Sequence, residues 1–484
     1  MSRIKANNIT PFSGANVTIG GNAVPSGSSK TLGTENNPWG SLYVVDEQSV
    51  NFVSGSFISG STAAVIASIK AFGENGVPGG FKGQIFTETN NNYRGSFSVG
   101  RDNQAIGTAS LANGRYNTAS GLWSHAEGES TFAHTRAHSE GNSTKASGDS
   151  SHAEGVFTIA TATGAHSEGY YTTASGVNSH AEGEGTLASG IRAHAEGNYS
   201  IASGIASHAE GNGGYATGNY SHAEGNLTVA LGTGSHAEGS LVSSSGNYSH
   251  AEGYATVASG LYSHAEGQYS VAFGGASHAE GQYTLASGGL AHAEGYTTNA
   301  KGDYSHAEGY MTLASGQGSH TEGIYTSASG LYSHAEGQST KALSIGSHAE
   351  GTSTIASGES SHAEGNLTTA SGQFSHAEGT STVALGISSH TEGLGTIASG
   401  SYQTVVGEYN ALGDTTSHFI VGGGTSGSRK DAFKVTLSSS IVVATQTTVP
   451  SWTGTEGEMV PYVSGSTYRL YAYLGGAWRS SSFA

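Results

Sequence analysis

The sequence predicts an all-β rod: a trimeric parallel β-roll with one coil per 14 residues, flanked by small β-rich N- and C-terminal domains. Three observations predict it. A His-Ala-Glu motif returns at a fixed interval, a second Gly-closed segment lies inside every unit, and the composition is rich in Gly (76 of 484 residues) but poor in charge (11 %).

Ser124-His125-Ala126-Glu127-Gly128 opens the series, which recurs with small variants to residues 389–393. Of 22 histidines, 20 share one register: His125, then His138 and every 14th residue to His390. A Glu follows each of them by two positions and a Gly by three. Residues 96–100, 110–114 and 403–407 keep the spacing without the His, so the periodic region spans 96–407. The second half of a unit reads like Thr256-Val257-Ala258-Ser259-Gly260. Alternation over five residues signals a strand, and Gly at a fixed offset signals a turn that calls for positive φ. Helical repeats need longer units and better helix formers. About 22 coils at a strand spacing of ~4.8 Å give a rod of roughly 100 Å. The single 13-residue step, containing His134 and Arg136, predicts a local kink.

Side chains alternate across a strand, so Ser, Ala and Gly of the motif share one face and His and Glu the other. Only the small set fits inside a narrow coil, which turns His and Glu outward. A coil filled with Ala, Ser and Thr buries little apolar area at ~25 cal/mol per Å², weak against the entropy of ordering 14 residues. Self-association supplies the missing burial, and a homotrimer is the expected partner state. The expected trimer seam is the outward array, sampled by His152, Glu154, His180, Glu182, His208, Glu210, His264, Glu266, His306, Glu308, His362 and Glu364. Pairing is expected to lower the Glu pKa values and raise those of any charged His.

Composition narrows the function classes. There is no Cys, which excludes a disulfide framework and thiolate metal sites. A formal charge of −18 opposes binding to nucleic acid. The first residues lack the apolar core of a signal peptide, and no apolar run reaches the roughly 18 residues of a membrane span, so no membrane insertion is expected. Six Pro exclude a collagen-like chain. The expected domains are 1–95 for attachment, with one short helix at 61–72, 96–407 for the rod, and 408–484 for a β-rich tip.

The 14-residue, Gly-closed, Ala-centred repeat resembles the head domain of YadA-type trimeric adhesins. The resemblance implies a left-handed roll whose two outward residues, typically branched, face the trimer axis. Residues 96–100 and 403–407 are most similar to that family's repeat; in the 20 central units His and Glu replace the branched pair. The His-Ala-Glu version resembles repeats of bacteriophage tail-fibre proteins. So do the flanks, at 8–14, 32–43, 419–425 and 432–435. The resemblance implies a virion fibre that mediates host attachment, held through its N-terminal region by other virion structural proteins and binding a host receptor, a glycan among the candidates. The tip residues expected to make that contact are Tyr462, Tyr468, Arg469, Tyr471, Tyr473 and Trp478. A bacterial surface adhesin is the alternative, and a tail-spike depolymerase a third.

No catalytic residue and no cofactor is assigned. A catalytic site needs one constellation, whereas this array repeats twenty times. Metal or anions on the axial His and Glu are the competing reading, since imidazole and carboxylate are ligands for Zn or Fe. The Gly-rich run 422–427 lacks the Lys and the helix of a phosphate loop. Aromatic side chains such as Tyr220, Tyr248, Tyr262, Tyr304, Tyr332 and Phe374 are expected outside the coil, packed as ladders, with sugar stacking as the alternative.

Overall fold

The computed structural model describes residues 95–482, all within one compact unit, Ala64–Ala484. The expected attachment region up to residue 94 and the short helix at 61–72 lie outside the described residues. The described residues form a parallel β-solenoid followed by antiparallel strands.

The repeat dictates the coil. Strand His152–Val156 pairs in parallel with His166–Tyr170, which pairs with His180–Ala181, each residue opposite the one 14 later. The second half of each unit supplies a two-residue strand. Ile159–Ala160, Thr173–Ala174 and Leu187–Ala188 stack likewise, in a column of 22 strands. Coil is tied to coil by backbone bonds such as His180 N to Ala193 O at 2.9 Å and Leu187 N to Ser200 O at 2.9 Å.

The interior is a column of small side chains. Ala153, Ala160 and Ala181 are fully buried, as are Thr158 and Thr172. Where Ser replaces the inward Ala it finds a partner across the coil: Ser139 Oγ lies 2.7 Å from Thr144 Oγ1, and Ser167 Oγ 2.8 Å from Thr172 Oγ1. The motif Ser closes the preceding turn, as when Ser207 Oγ donates to Gly204 O at 2.8 Å. A methyl-sized core contributes little per coil. Backbone ladders and these internal hydroxyl bonds therefore carry much of the order.

The glycines divide into two kinds, and the expectation of positive φ at both is corrected. The first Gly of each unit has it: Gly267 sits at φ +98°, and a Cβ there would lie 2.1 Å from Gly281 O. The second Gly does not. At Gly260 the constraint is close approach, with Gly274 O 2.0 Å from an added Cβ. The positive φ falls two residues after each Gly, often on large side chains: Tyr262 and Tyr269 both at 57°.

The 13-residue step does not break either ladder, against the expected kink. His125 stays opposite His138 and Phe132 opposite Lys145. The missing residue is absorbed in the turn after Ala133, where Arg136 N donates to Leu122 O at 2.7 Å and its guanidinium pairs with Asp149.

Beyond residue 407 the stack gains one more parallel strand. Ser417–Gly423 pairs with Thr404–Glu408 across a 15-residue step, and the antiparallel strands Asp431–Thr436 and Ile441–Val443 follow. Larger side chains fill this last coil, with Val405, Ile420 and Gln403 all fully buried. Gln403 Nε2 donates to Asp414 O and Ser417 O at 2.8 and 2.9 Å. Burial pushes the Asp414 carboxyl up, but bonds from Ser417, Thr416 and Lys434 outweigh it and hold the group far below the usual carboxylate range. A separate three-stranded antiparallel sheet, Met459–Ser464, Thr467–Leu474 and Ala477–Ser482, ends the chain.

Candidate functional site: the histidine and glutamate ladders

Strand alternation sends His and Glu of every central coil to the outer face of one sheet, the twelve expected seam residues among them. They form two continuous columns. Successive imidazoles stack in parallel: His152 and His166 have centroids 4.7 Å apart and an interplanar angle of 0°. Only the last pair, His376 with His390, tilts, to 44°. The ladder faces outward but is not free. The His152 side chain keeps 35 % exposure and Glu154 33 %, while Nε2 of His152 is itself buried.

The pairing within a chain is looser than the sequence suggests. Nε2 of His152 lies 3.6 Å from Glu154, too long for a hydrogen bond. Hydrogen-bond distance is reached at the C-terminal end, where His376 and His390 approach Glu364 and Glu378 at 3.2 Å. Eighteen other ladder histidines have a buried Nε2 without a partner among the described residues.

The titration pattern also corrects the expectation. Burial, then the neighbouring imidazoles, holds His152, His166 and His208 below their ordinary value, not above it. Glutamates are not uniformly lowered. Glu168, Glu196 and Glu336 are pushed up to about 7 by hydrogen bonds with the carboxylates on either side. The intervening Glu154, Glu182, Glu210 and Glu350 are pushed down by the same bonds. Like charges one coil apart disfavour each other, which drives neighbouring carboxyls in opposite directions. The alternation runs from Glu140 to Glu224 and again from Glu294 to Glu378, which no single repeat unit can show.

The signs give a pH profile. A lowered His contributes stability above about 6.5 that is lost as pH falls through its folded value. A lowered Glu contributes above about 4.5, also lost on acidification. A raised Glu contributes most below about 4.5 and loses that contribution as pH rises through about 7. Below about pH 4.5 stability is therefore expected to fall as the lowered Glu contribution is lost, between about 4.5 and 7 the lowered His and the raised Glu act in opposite directions, and above about 7 the profile is expected to be level. Melting temperatures across pH 3–9 check this; a flat profile contradicts it.

The ladder offers clusters such as His152, Glu154 and His166, whose ligand atoms lie within 4.8 Å of one another. Stacking works against a chelate along the column. An ion at ~2.0–2.1 Å from a His nitrogen lies in that ring's plane. Parallel rings 4.7 Å apart offer no point in both planes. His and Glu of a single layer avoid this conflict.

The expected tip residues lie in the C-terminal sheet. Tyr462 faces Arg469 and Tyr473 faces Trp478 across the strands, so Tyr462, Arg469, Tyr471, Tyr473 and Trp478 share one face and Tyr468 the other. That shared face is partly covered. Tyr471 is 7 % exposed, and Trp478 donates from Nε1 to Trp452 O at 2.7 Å. Only Tyr468 and Arg469 of the six are exposed.

Two outward residues per Gly-closed coil, an inward Ala between them and parallel stacking at 14 residues define a particular repeat. Residues 167–193, 181–207, 251–277, 265–291, 349–375 and 377–402 match the YadA head domain repeat. These coils are YadA-head-like. The matches fall within the His and Glu region, so the exchange of the branched pair does not hide the repeat. No curated protein matches the sequence. Tyrosines on the turn that follows Glu-Gly, such as Tyr254 and Tyr269, have no fixed register in the sequence, because Gly, Ser and Leu also occupy that turn.

Proposed function

We propose that the chain is a trimeric, adhesin-like attachment protein whose solenoid is a non-enzymatic spacer and binding surface. The match to YadA head repeats carries the reading, since that family is one of trimeric adhesins. The ladder supports it physically: His and Glu side chains stay about one-third exposed along one continuous outer face, which neighbouring copies would cover. The His and Glu columns are then the seam, with both members of every layer brought together near a threefold axis.

Between carriers, the repeat match favours a cell-surface adhesin. The bacteriophage-fibre reading has the likeness of the flanks behind it, with 1–95 as its attachment segment and a virion as its location. Both share one activity, adhesion without chemistry. Labelled full-length protein should bind intact bacterial or animal cells saturably, and unlabelled protein should displace it. Absence of saturable binding to any cell type tested would reject the attachment reading.

A further inference from the structure

Six successive coils, from the one holding His250 to the one holding His320, each carry one tyrosine on the same turn: Tyr254, Tyr269, Tyr283, Tyr296, Tyr310 and Tyr325. The rings touch in an unbroken line. Centroid separations are 5.5, 4.9, 6.1, 5.1 and 5.6 Å, alternating edge-on and stacked. Each ring keeps between 38 and 51 % exposure. The wall runs roughly 24 Å along the coil axis at ~4.8 Å per coil.

The fold does not ask for these tyrosines. Tyr269, Tyr283 and Tyr325 sit at φ 57°, 57° and 58°, a left-handed conformation that disfavours a bulky residue. The same turn position holds Gly213 and Gly395, or Ser339, Ser353 and Ser381 at φ 55–59°, in other coils that stack equally well. A run of exposed aromatics, three of them at a left-handed position where Gly or Ser suffices, marks an interaction surface.

Its chemistry selects the partner. The two turn positions of these six coils hold no charged side chain; beside the tyrosines stand Gln268, Gln282, Thr297, Ala255, Met311 and Ile324. Gln282 Nε2 donates to Gln268 Oε1 at 2.7 Å, leaving further amide capacity outward. Aromatic rings bearing hydroxyls, with amides and no charge, suit a polymer that alternates apolar C–H faces with hydroxyl groups. We infer that this tyrosine wall binds a neutral polysaccharide chain lying along the solenoid axis. A sugar residue is about as long as one coil is high, so successive residues meet successive rings. The inference rests on the attachment reading and names its ligand class.

The test is affinity electrophoresis of the full-length protein in gels containing dextran, mannan or galactan, with a printed array of neutral glycans alongside. Binding to at least one is expected, weakened tenfold or more in the triple variant Tyr269→Ser, Tyr283→Ser, Tyr325→Ser. Ser is chosen because it already occupies this turn, and circular dichroism checks the fold. The control variant Tyr220→Ser, Tyr304→Ser, Tyr332→Ser, on the opposite turn, should stay within twofold of wild type. No binding to any neutral glycan, or unchanged binding by the folded triple variant, overturns the inference. If cells are still bound in that event, as they would be through a protein receptor, the attachment reading survives without the wall. If cells are not bound either, the attachment reading fails as well.

Discussion

Gly267→Ala is expected to open the solenoid locally. The added methyl would stand 2.1 Å from Gly281 O and 3.0 Å from Gly281 N and C, all backbone atoms fixed by the next coil. The residue would also have to hold φ +98°, outside the left-handed well that other residues tolerate. Strain of about 1–3 kcal/mol for such a conformation, with the clash added, puts the cost at roughly 3–5 kcal/mol. Stability in a repeat array is close to a sum of nearest-neighbour terms, so the damage should divide the array. Calorimetry should show a second transition at lower temperature. Ser339→Ala, at φ 59° in a position that holds Ala255 elsewhere, should shift the melting temperature little.

Replacing the ladder by branched residues should act in the opposite direction. His264→Val with Glu266→Ile, repeated at His278 and Glu280 and at His292 and Glu294, removes three layers of polar atoms whose His Nε2 groups are buried without partners. Where the face is covered by neighbouring copies, exchanging polar layers for well-packed apolar ones stabilises by about 1–4 kcal/mol. The expected result is a higher melting temperature, an unchanged native mass and a shallower fall in stability below about pH 4.5. A face that stays open to water instead gives lower solubility and no gain, because the substitution then only exposes apolar area.

Much of the fold was legible because the repeat is nearly exact. A Ser-His-Ala-Glu-Gly segment leaves one solution: Ala153 in, His152 and Glu154 out, the next coil 14 residues on. The features that escaped are those no single unit contains. Gly260 looked like a turn residue needing positive φ, but stacking gives it a different constraint, the carbonyl of Gly274 at 2.0 Å. The missing residue after Ala133 looked like a kink, yet a turn can lose a residue while both strands keep register. The opposite pKa shifts of Glu154, Glu168 and Glu182 are invisible in a unit that carries one carboxylate; they arise because coils lie a strand spacing apart. Tyr471 looked like a contact residue, but antiparallel pairing places it on the covered face. The tyrosine wall was hidden for the converse reason: its members are split between two neighbouring positions of the turn, so only the folded coil brings Tyr254 and Tyr269 into contact.

The outward columns connect these observations. His and Glu stand where branched residues stand in the repeats this region resembles, and they leave buried nitrogens unmet in one chain. In the proposed trimer, three copies around an axis would give every layer three imidazoles and three carboxylates to share. The native mass of the full-length protein in solution at pH 7 tests this most directly. Sedimentation equilibrium or native mass spectrometry should give three times the chain mass of 48.8 kDa. A folded monomer with the same circular dichroism would contradict the seam, and with it the reading of the ladders as the junction between chains.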